Sequence, residues 1–215
     1  MSKQITITII GVGSVGSIVL LIPAIMSRSL PFKLVLWDKD IVSPHNPTNQ
    51  LYRFQDVGEA DAPSYKVDAL SEMLNYLSSS LEIQKVKAFA DEESILSEIT
   101  VVAVDSMKAR KKIFQAARFN PYVALYIDAR SGGNLAAVYA LDPRNADDVK
   151  RYEKTLYSDA DASAAPCADP STVQTLFAIA EAIFTKIIIF RKERIAHFSM
   201  TLINNENLTT IVTST

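Results

Sequence analysis

Cysteine is nearly absent from this chain: Cys167 is the single one in 215 residues. That excludes a disulfide within the chain and any zinc site built from several of its own cysteines. Histidine is almost as scarce. His45 and His197 are the only two and lie far apart in sequence, so neither is expected to be a ligand. There is no excess of positive charge: 22 lysines and arginines face 24 aspartates and glutamates, with a pI near 5.7. The basic footprint of a nucleic-acid binder is missing. No signal peptide is read at the start, and the apolar runs are interrupted or too short to span a bilayer. A cytoplasmic protein engaging neither nucleic acid nor membrane is the expectation. What remains, 48% hydrophobic and 21% charged, is the composition of an ordinary globule, and its length suits one domain over residues 1–215.

Glycine is sparse as well, six in all, yet three of them stand at Gly11, Gly13 and Gly16. They follow the β-branched run Ile5–Ile10 and open the apolar, helix-like run Ser17–Ile22. Strand, glycine turn and helix start form the dinucleotide-binding fingerprint. Gly11 permits the tight turn, Gly13 lets phosphate approach the backbone, and Gly16 lets helix and strand pack closely. The helix start then offers unpaired N–H groups to an anion. Lys33–Asp38 reads as a second strand, and Asp38 lies about 20 residues beyond Gly16, where an acidic ribose ligand belongs. A turn with no ligand, closed by Asp38, is the plain alternative.

The rest of the chain alternates in period. A first helix is expected over Ser14–Met26, kinked or ended by Pro23, and a long loop over residues 39–65. A helix is expected over Lys66–Leu77, a strand over Glu82–Ala88, a short helix over Asp91–Ser97 and a buried strand over Ile99–Val104. There follow a helix over Met107–Phe119 and strands over Tyr122–Asp128 and Asn134–Leu141. Beyond a charged stretch and the loop carrying Cys167, a helix is expected over Val173–Phe190, then a terminal hairpin. The pattern predicts an α/β, Rossmann-like, mostly parallel sheet flanked by helices. Its core spans about residues 1–142, and residues 143–215 add the C-terminal loop, helix and β-hairpin. Gly11–Gly16, Asp38 and Asp105 all fall at strand carboxyl ends, so they can share one crevice.

Several motifs in this order resemble the superfamily of ThiF, MoeB, HesA and the ubiquitin-activating enzymes. The run Ile10–Gly16 is similar to its glycine motif, Asp38–Val42 to D-x-D-x-V, Asn46–Gln50 to N-x-x-R-Q, Asp56–Gly58 to D-[IV]-G with Lys66 after it, and Asp105–Arg110 to D-x-x-x-x-R. The stretch Tyr152–Tyr157, with Pro166 and Cys167, resembles bacterial ThiF-type proteins in particular. The resemblance implies adenylation: Mg-ATP and the C-terminal glycine of a ubiquitin-like or sulfur-carrier protein react to give an acyl-adenylate and pyrophosphate. It implies that Asp38 binds the ribose, that Asn46 and Lys66 face the phosphates, that Asp105 helps hold Mg2+, and that Cys167 takes the activated tail as a thioester. It also implies a homodimer, in keeping with the apolar helix expected over Val173–Phe190.

The chain departs from that pattern at one telling place. Asn49 stands where the family has its phosphate-binding arginine, and Arg53 lies four residues further on. About five additional residues also separate Gly58 from Lys66. Each site residue keeps a plain alternative: Asp105 as a helix cap, Lys66 as a solvated surface lysine, Arg110 as half of a surface pair, Cys167 as a small apolar side chain. Two other functions stay open, a non-catalytic partner subunit and an NAD-dependent oxidoreductase. The order Lys66, Asp105, Arg110 suits Mg-ATP better than hydride transfer.

Overall fold

The structure is a computed structural model that describes residues 4–59, 61–158, 172–207 and 209–214. Its elements are β1 (Ile5–Ile10), α1 (Ser14–Val19), α2 (Leu21–Met26), β2 (Phe32–Trp37), α3 (Lys66–Leu77), β3 (Glu82–Val86), β4 (Ile99–Val102), α4 (Met107–Arg118), β5 (Leu125–Gly132), β6 (Leu135–Leu141), α5 (Ala146–Glu153), α6 (Thr172–Glu193), β7 (Ser199–Asn204) and β8 (Thr209–Ser214). They build one eight-stranded sheet in the order β3-β2-β1-β4-β5-β6-β7-β8. Neighbours from β3 to β5 run parallel, and β6, β7 and β8 add on antiparallel. The expected α/β sheet flanked by helices is what forms, with the terminal hairpin at its side.

Burial explains the layering. Ile7, Ile9, Leu34, Leu36 and Val101 are fully buried, as expected for parallel strands covered on both faces. On one face they meet α1, α3 and α6 in the main core. On the other, Ile10, Val102, Phe114, Tyr126, Leu141 and Tyr152 form a second core beneath α4 and α5. Tyr126 and Tyr152 each pack edge-on or tilted against Phe114, with centroids 5.2 and 4.5 Å apart.

Helix α6 is 22 residues long and, by length and composition, apolar enough to cross a bilayer, which the interrupted apolar runs did not suggest. The fold accounts for that character. Leu176, Ile179, Ile183 and Ile187 are buried, and α6 packs on α1, β5, β6 and β7.

The break expected from Pro23 falls at Leu20, where the helix over Ser14–Met26 divides into α1 and α2, and two other local expectations change. Pro23 has no N–H for the Val19 carbonyl, and its ring crowds that turn, so the chain restarts with Pro23 in a first turn where proline is tolerated. No helix forms over Asp91–Ser97. Asp91 N–H donates to Ser94 Oγ at 2.8 Å and Ser94 Oγ donates back to Asp91 Oδ1 at 3.1 Å, a side-chain turn that competes with helix. Conversely, α5 forms inside the charged stretch. Asn145 caps it by accepting from Asp147 and Asp148 N–H at 2.9 and 3.3 Å, with acids in the first turn and Lys150 and Arg151 in the last.

Candidate functional site

The register of three strands assembles the site. Ile10 is aligned with Trp37 on one side and Val102 on the other. The residues that follow, Gly11, Asp38 and Ala103, therefore leave the sheet side by side. Gly11 adopts φ +84°, and a Cβ there would sit 2.7 Å from the Ala103 carbonyl oxygen. A Cβ on Gly16 would sit 2.0 Å from the Gly11 oxygen. Both glycines are required by turn and packing, as expected. Gly13 differs: a Cβ there would meet nothing within 4 Å, so its face is open. Helix α1 is only six residues long, so its dipole is correspondingly short.

Asp38 braces this turn from the next strand. Its Oδ2 accepts from Val12 N–H and its Oδ1 from Asp40 N–H, both at 2.9 Å. Each carboxylate oxygen keeps a lone pair for a ribose hydroxyl. Tyr52 holds the same loop from the other side. It is buried, and its hydroxyl donates to the Val12 carbonyl at 2.6 Å. Burial pushes the Tyr52 pKa far above the ordinary tyrosine value, and the nearby charges of Asp38, Asp40 and Asp56 add to the shift. Beside it, Leu51 N–H donates to Ser17 Oγ at 3.1 Å. The long loop over residues 39–65 is thus stitched to the glycine turn.

Within that loop the expected phosphate ligands have local duties. Asn46 is buried, and its Oδ1 accepts from Ser43 N–H at 2.8 Å and Ser43 Oγ at 2.9 Å. Asn49 is also buried, just after the 3-10 turn Asn46–Thr48. Arg53 is engaged by Asp56, with Nε and Nη2 on Asp56 Oδ1 at 2.9 and 2.6 Å, and Arg53 N–H on Oδ2 at 2.7 Å. That bond raises the Arg53 pKa above its ordinary value. Lys66 opens α3 and is largely buried, with its ammonium 3.2 Å from Asp40 Oδ2. The solvated-surface reading of Lys66 does not hold. The second acid of the D-x-D pattern aims this lysine.

Asp105 stands exposed past the end of β4. The helix cap is its neighbour Ser106, whose Oγ accepts from Ala109 N–H at 3.2 Å. The Asp105 carboxylate makes no hydrogen bond or ion pair among the described residues. No group of three or more metal-ligating side chains occurs among those residues either. A lone free carboxylate fits magnesium delivered with a nucleotide, since that ion keeps its waters and phosphate oxygens and takes one or two protein carboxylates. It does not fit a standing protein metal site.

Beneath Asp105 lies a network that motif reading did not reveal. Asp128 on β5 is fully buried. It accepts from Arg110 Nη1, from Arg130 Nε at 2.7 Å and from the Tyr152 hydroxyl at 2.9 Å. Arg110 also donates to the Val104 carbonyl, immediately before Asp105. Arg110 is therefore an internal strut and not a surface pair, and burial lowers its pKa from the ordinary arginine value. Arg130 continues to the Thr155 carbonyl at 2.7 Å and Thr155 Oγ1 at 3.0 Å. A signal existed in the sequence: Asp128 and Arg130 are one strand period apart in an otherwise apolar segment. Cys167 lies outside the described residues.

The geometry thus unites Gly11–Gly16, Asp38 and Lys66, and sets Asp105 one strand away. A model of the ThiF family matches residues 2–209. No curated protein matches. Among solved structures, the chain is similar to selenomethionine PaaA, with a TM-score of 0.67 and 17% identity over 98% of this chain and 64% of that one. It is similar to E. coli MccB, with a TM-score of 0.68 and 16% identity over 98% of this chain and 62% of that one. It is also similar to E. coli MccB solved with ATP, with a TM-score of 0.67 and 15% identity over 98% of this chain and 63% of that one. The chain spans less than two thirds of the length of these neighbours, which share its fold. By the family match over nearly its whole length, together with the glycine turn, the Asp38 brace and the Asp40–Lys66 pair, the chain belongs to the ThiF family.

Proposed function

We propose that this chain is an ATP-dependent adenylyltransferase that activates the C-terminal carboxylate of a peptide or small protein. The observation that carries the reading is the Gly13 opening beside the Asp38 brace and the Asp40–Lys66 pair, with Asp105 following the neighbouring strand β4 and its carboxylate unbonded among the described residues. In this reading Asp38 binds the ribose hydroxyls, and Asp105 holds the magnesium that accompanies the triphosphate and offsets its charge. Lys66 leaves Asp40 for the phosphates. A carboxylate oxygen of the tail forms a bond to the α-phosphorus while the bond from that phosphorus to the bridging oxygen breaks, and pyrophosphate departs. The chain's own contribution is positioning and charge.

The tail has a suitable place to lie. Leu135, Leu202 and Ile211 lie on one open face of the antiparallel half of the sheet, more than a third exposed. That face continues from Asp128 and Arg130. E. coli MccB has been solved with MccA and with ATP, which supports a peptide or protein tail as the substrate class. A ubiquitin-like or sulfur-carrier protein ending in glycine is the partner we favour. A second copy of this chain is the other expected partner, seated on the groove of Ile22, Phe184, Ile188 and Ile189 between α2 and α6.

One observation favours a second reading, a non-catalytic partner subunit. Asn49 brings no charge, and Arg53 is committed to Asp56. ATP–pyrophosphate exchange, with candidate glycine-terminated carriers and with NAD as a competitor, tests both. Exchange dependent on magnesium and carrier supports the enzyme. Exchange at background for the wild type and for Asn49→Arg, with ATP still bound, supports the scaffold. Binding of NAD in preference to ATP would favour the oxidoreductase over both.

A further inference from the structure

We infer that Tyr52 is a positioning residue that aims the Gly13 amide at the nucleotide phosphates, an inference that rests on the nucleotide-binding reading above. Its hydroxyl donates to the Val12 carbonyl at 2.6 Å. A trans peptide carries its C=O and N–H on opposite sides. Fixing the Val12 carbonyl toward Tyr52 therefore turns the Gly13 N–H the other way. The preceding amide, Val12 N–H, is already taken by Asp38 Oδ2 at 2.9 Å. The Gly13 N–H has no hydrogen-bond partner among the described residues, and the space where its Cβ would be is empty. One inward bond on each side of Val12 thus leaves the next amide pointing outward.

The tyrosine is itself held. Leu51 N–H is bound to Ser17 Oγ at 3.1 Å, and Tyr52 N–H donates to the Gln50 carbonyl at 2.8 Å. The ring is buried in the main core, so the hydroxyl cannot leave without unpacking it. Losing the hydroxyl while keeping the ring would free the peptide to rotate. The Val12 carbonyl would then lack a buried partner, which backbone rotation toward water relieves. The amide would lose its preorganised direction, a loss felt by phosphate and not by base or ribose.

Tyr52→Phe tests this by calorimetry with Mg-ATP and with adenosine. The expected result is ATP binding weakened by about tenfold, a typical consequence of losing one preorganised hydrogen bond, with adenosine binding unchanged. Equal weakening of both ligands would make Tyr52 merely structural, and no change in either would also overturn the inference. If the variant does not fold, the wild type still decides. With only six glycines in the chain, a glycine-labelled amide spectrum is sparse. Adding ATP or inorganic pyrophosphate should shift the Gly13 amide far more than the Gly11 amide, which is bound to the Trp37 carbonyl at 2.9 Å. A Gly13 amide that stays put while ATP binds overturns the inference and leaves the nucleotide reading intact. A wild type that binds neither ATP nor adenosine ends both.

Discussion

Lys66 and Asp40 are joined twice: the Lys66 N–H donates to the Asp40 carbonyl at 2.9 Å, and its ammonium lies 3.2 Å from Asp40 Oδ2. The backbone bond is part of the closure of the long loop, where Ile41 bridges Tyr65. The side-chain pair is weaker. The Asp40 side chain is 53% exposed, and pairs of that kind are worth about 0–1 kcal/mol. Asp40 is thus a resting place from which Lys66 can be drawn by phosphate. Lys66→Ala should lower ATP–pyrophosphate exchange by on the order of a hundredfold, the scale of losing a charged contact in the transition state. Asp40→Asn should cost only a few-fold. An Asp40→Asn loss as large as that of Lys66→Ala would show that Asp40 has a role beyond aiming Lys66.

Asp105 should separate binding from folding. It is exposed and unbonded among the described residues, while Ser106 caps the helix. Asp105→Ala is therefore expected to unfold at the wild-type temperature but to lose magnesium-dependent ATP binding. Cys167→Ala should keep that binding. Ser106→Ala should instead lose about 1 kcal/mol of stability, the usual value of a cap. A large fall in melting temperature for Asp105→Ala would reassign it to the structure.

Asp128 is expected to be the most costly single carboxylate to remove. Its loss leaves Arg110 buried with only the Val104 carbonyl among the bonds described above, and strips Arg130 and Tyr152 of a partner. Breaking a buried pair by deleting one member costs about 3–5 kcal/mol. Urea unfolding of Asp128→Ala measures it. A change below about 1 kcal/mol would mean that the site relaxes to admit water.

Acid should loosen α3 through Asp68. Burial works to raise the Asp68 pKa, but Lys85 and Lys87, at 2.8 and 2.6 Å, outweigh it and hold the carboxyl below its ordinary value. A depressed folded pKa gives stability that is present above the unfolded value, near 4, and is lost as pH falls through the folded one. The wild type should lose its advantage over Asp68→Asn on going from pH 7 to about pH 3, as read by denaturant midpoints. The gap should also shrink in high salt, because the groups are partly exposed. An advantage unchanged at low pH would place its origin outside this ion pair.

Legibility followed period and spacing. Lys66–Leu77 is visible as a helix because its apolar residues recur at three and four, and the observed helix has those bounds. Gly11 and Gly16 are readable because no other residue fits their backbone and packing. The local partners of Asn46 and Arg53 were not legible in the sequence: Ser43 three residues before the one, Asp56 three after the other. Motif reading assigns a residue to a ligand and does not see a neighbour that competes for it. The Asp128 network escaped for a different reason. Asp128 and Arg130 share β5, but Arg110 and Tyr152 come from α4 and α5, so only the packing of those helices on the sheet brings the network together.

The 2.0 Å that a Gly16 Cβ would leave to the Gly11 oxygen ties ligand affinity to the melting of the whole molecule. Turn and helix are in direct contact there, α1 in turn packs on α6, and α6 covers the antiparallel half of the sheet. Whatever grips this turn grips the seam between both halves, and the turn cannot loosen alone. Nucleotide binding should therefore register as mass action on global unfolding, about 2.7 kcal/mol at a hundredfold excess over Kd, and not as the ordering of a local segment. A simple thermal-shift titration then becomes a sufficient screen for ligands of this chain, with the rise in midpoint following the logarithm of concentration.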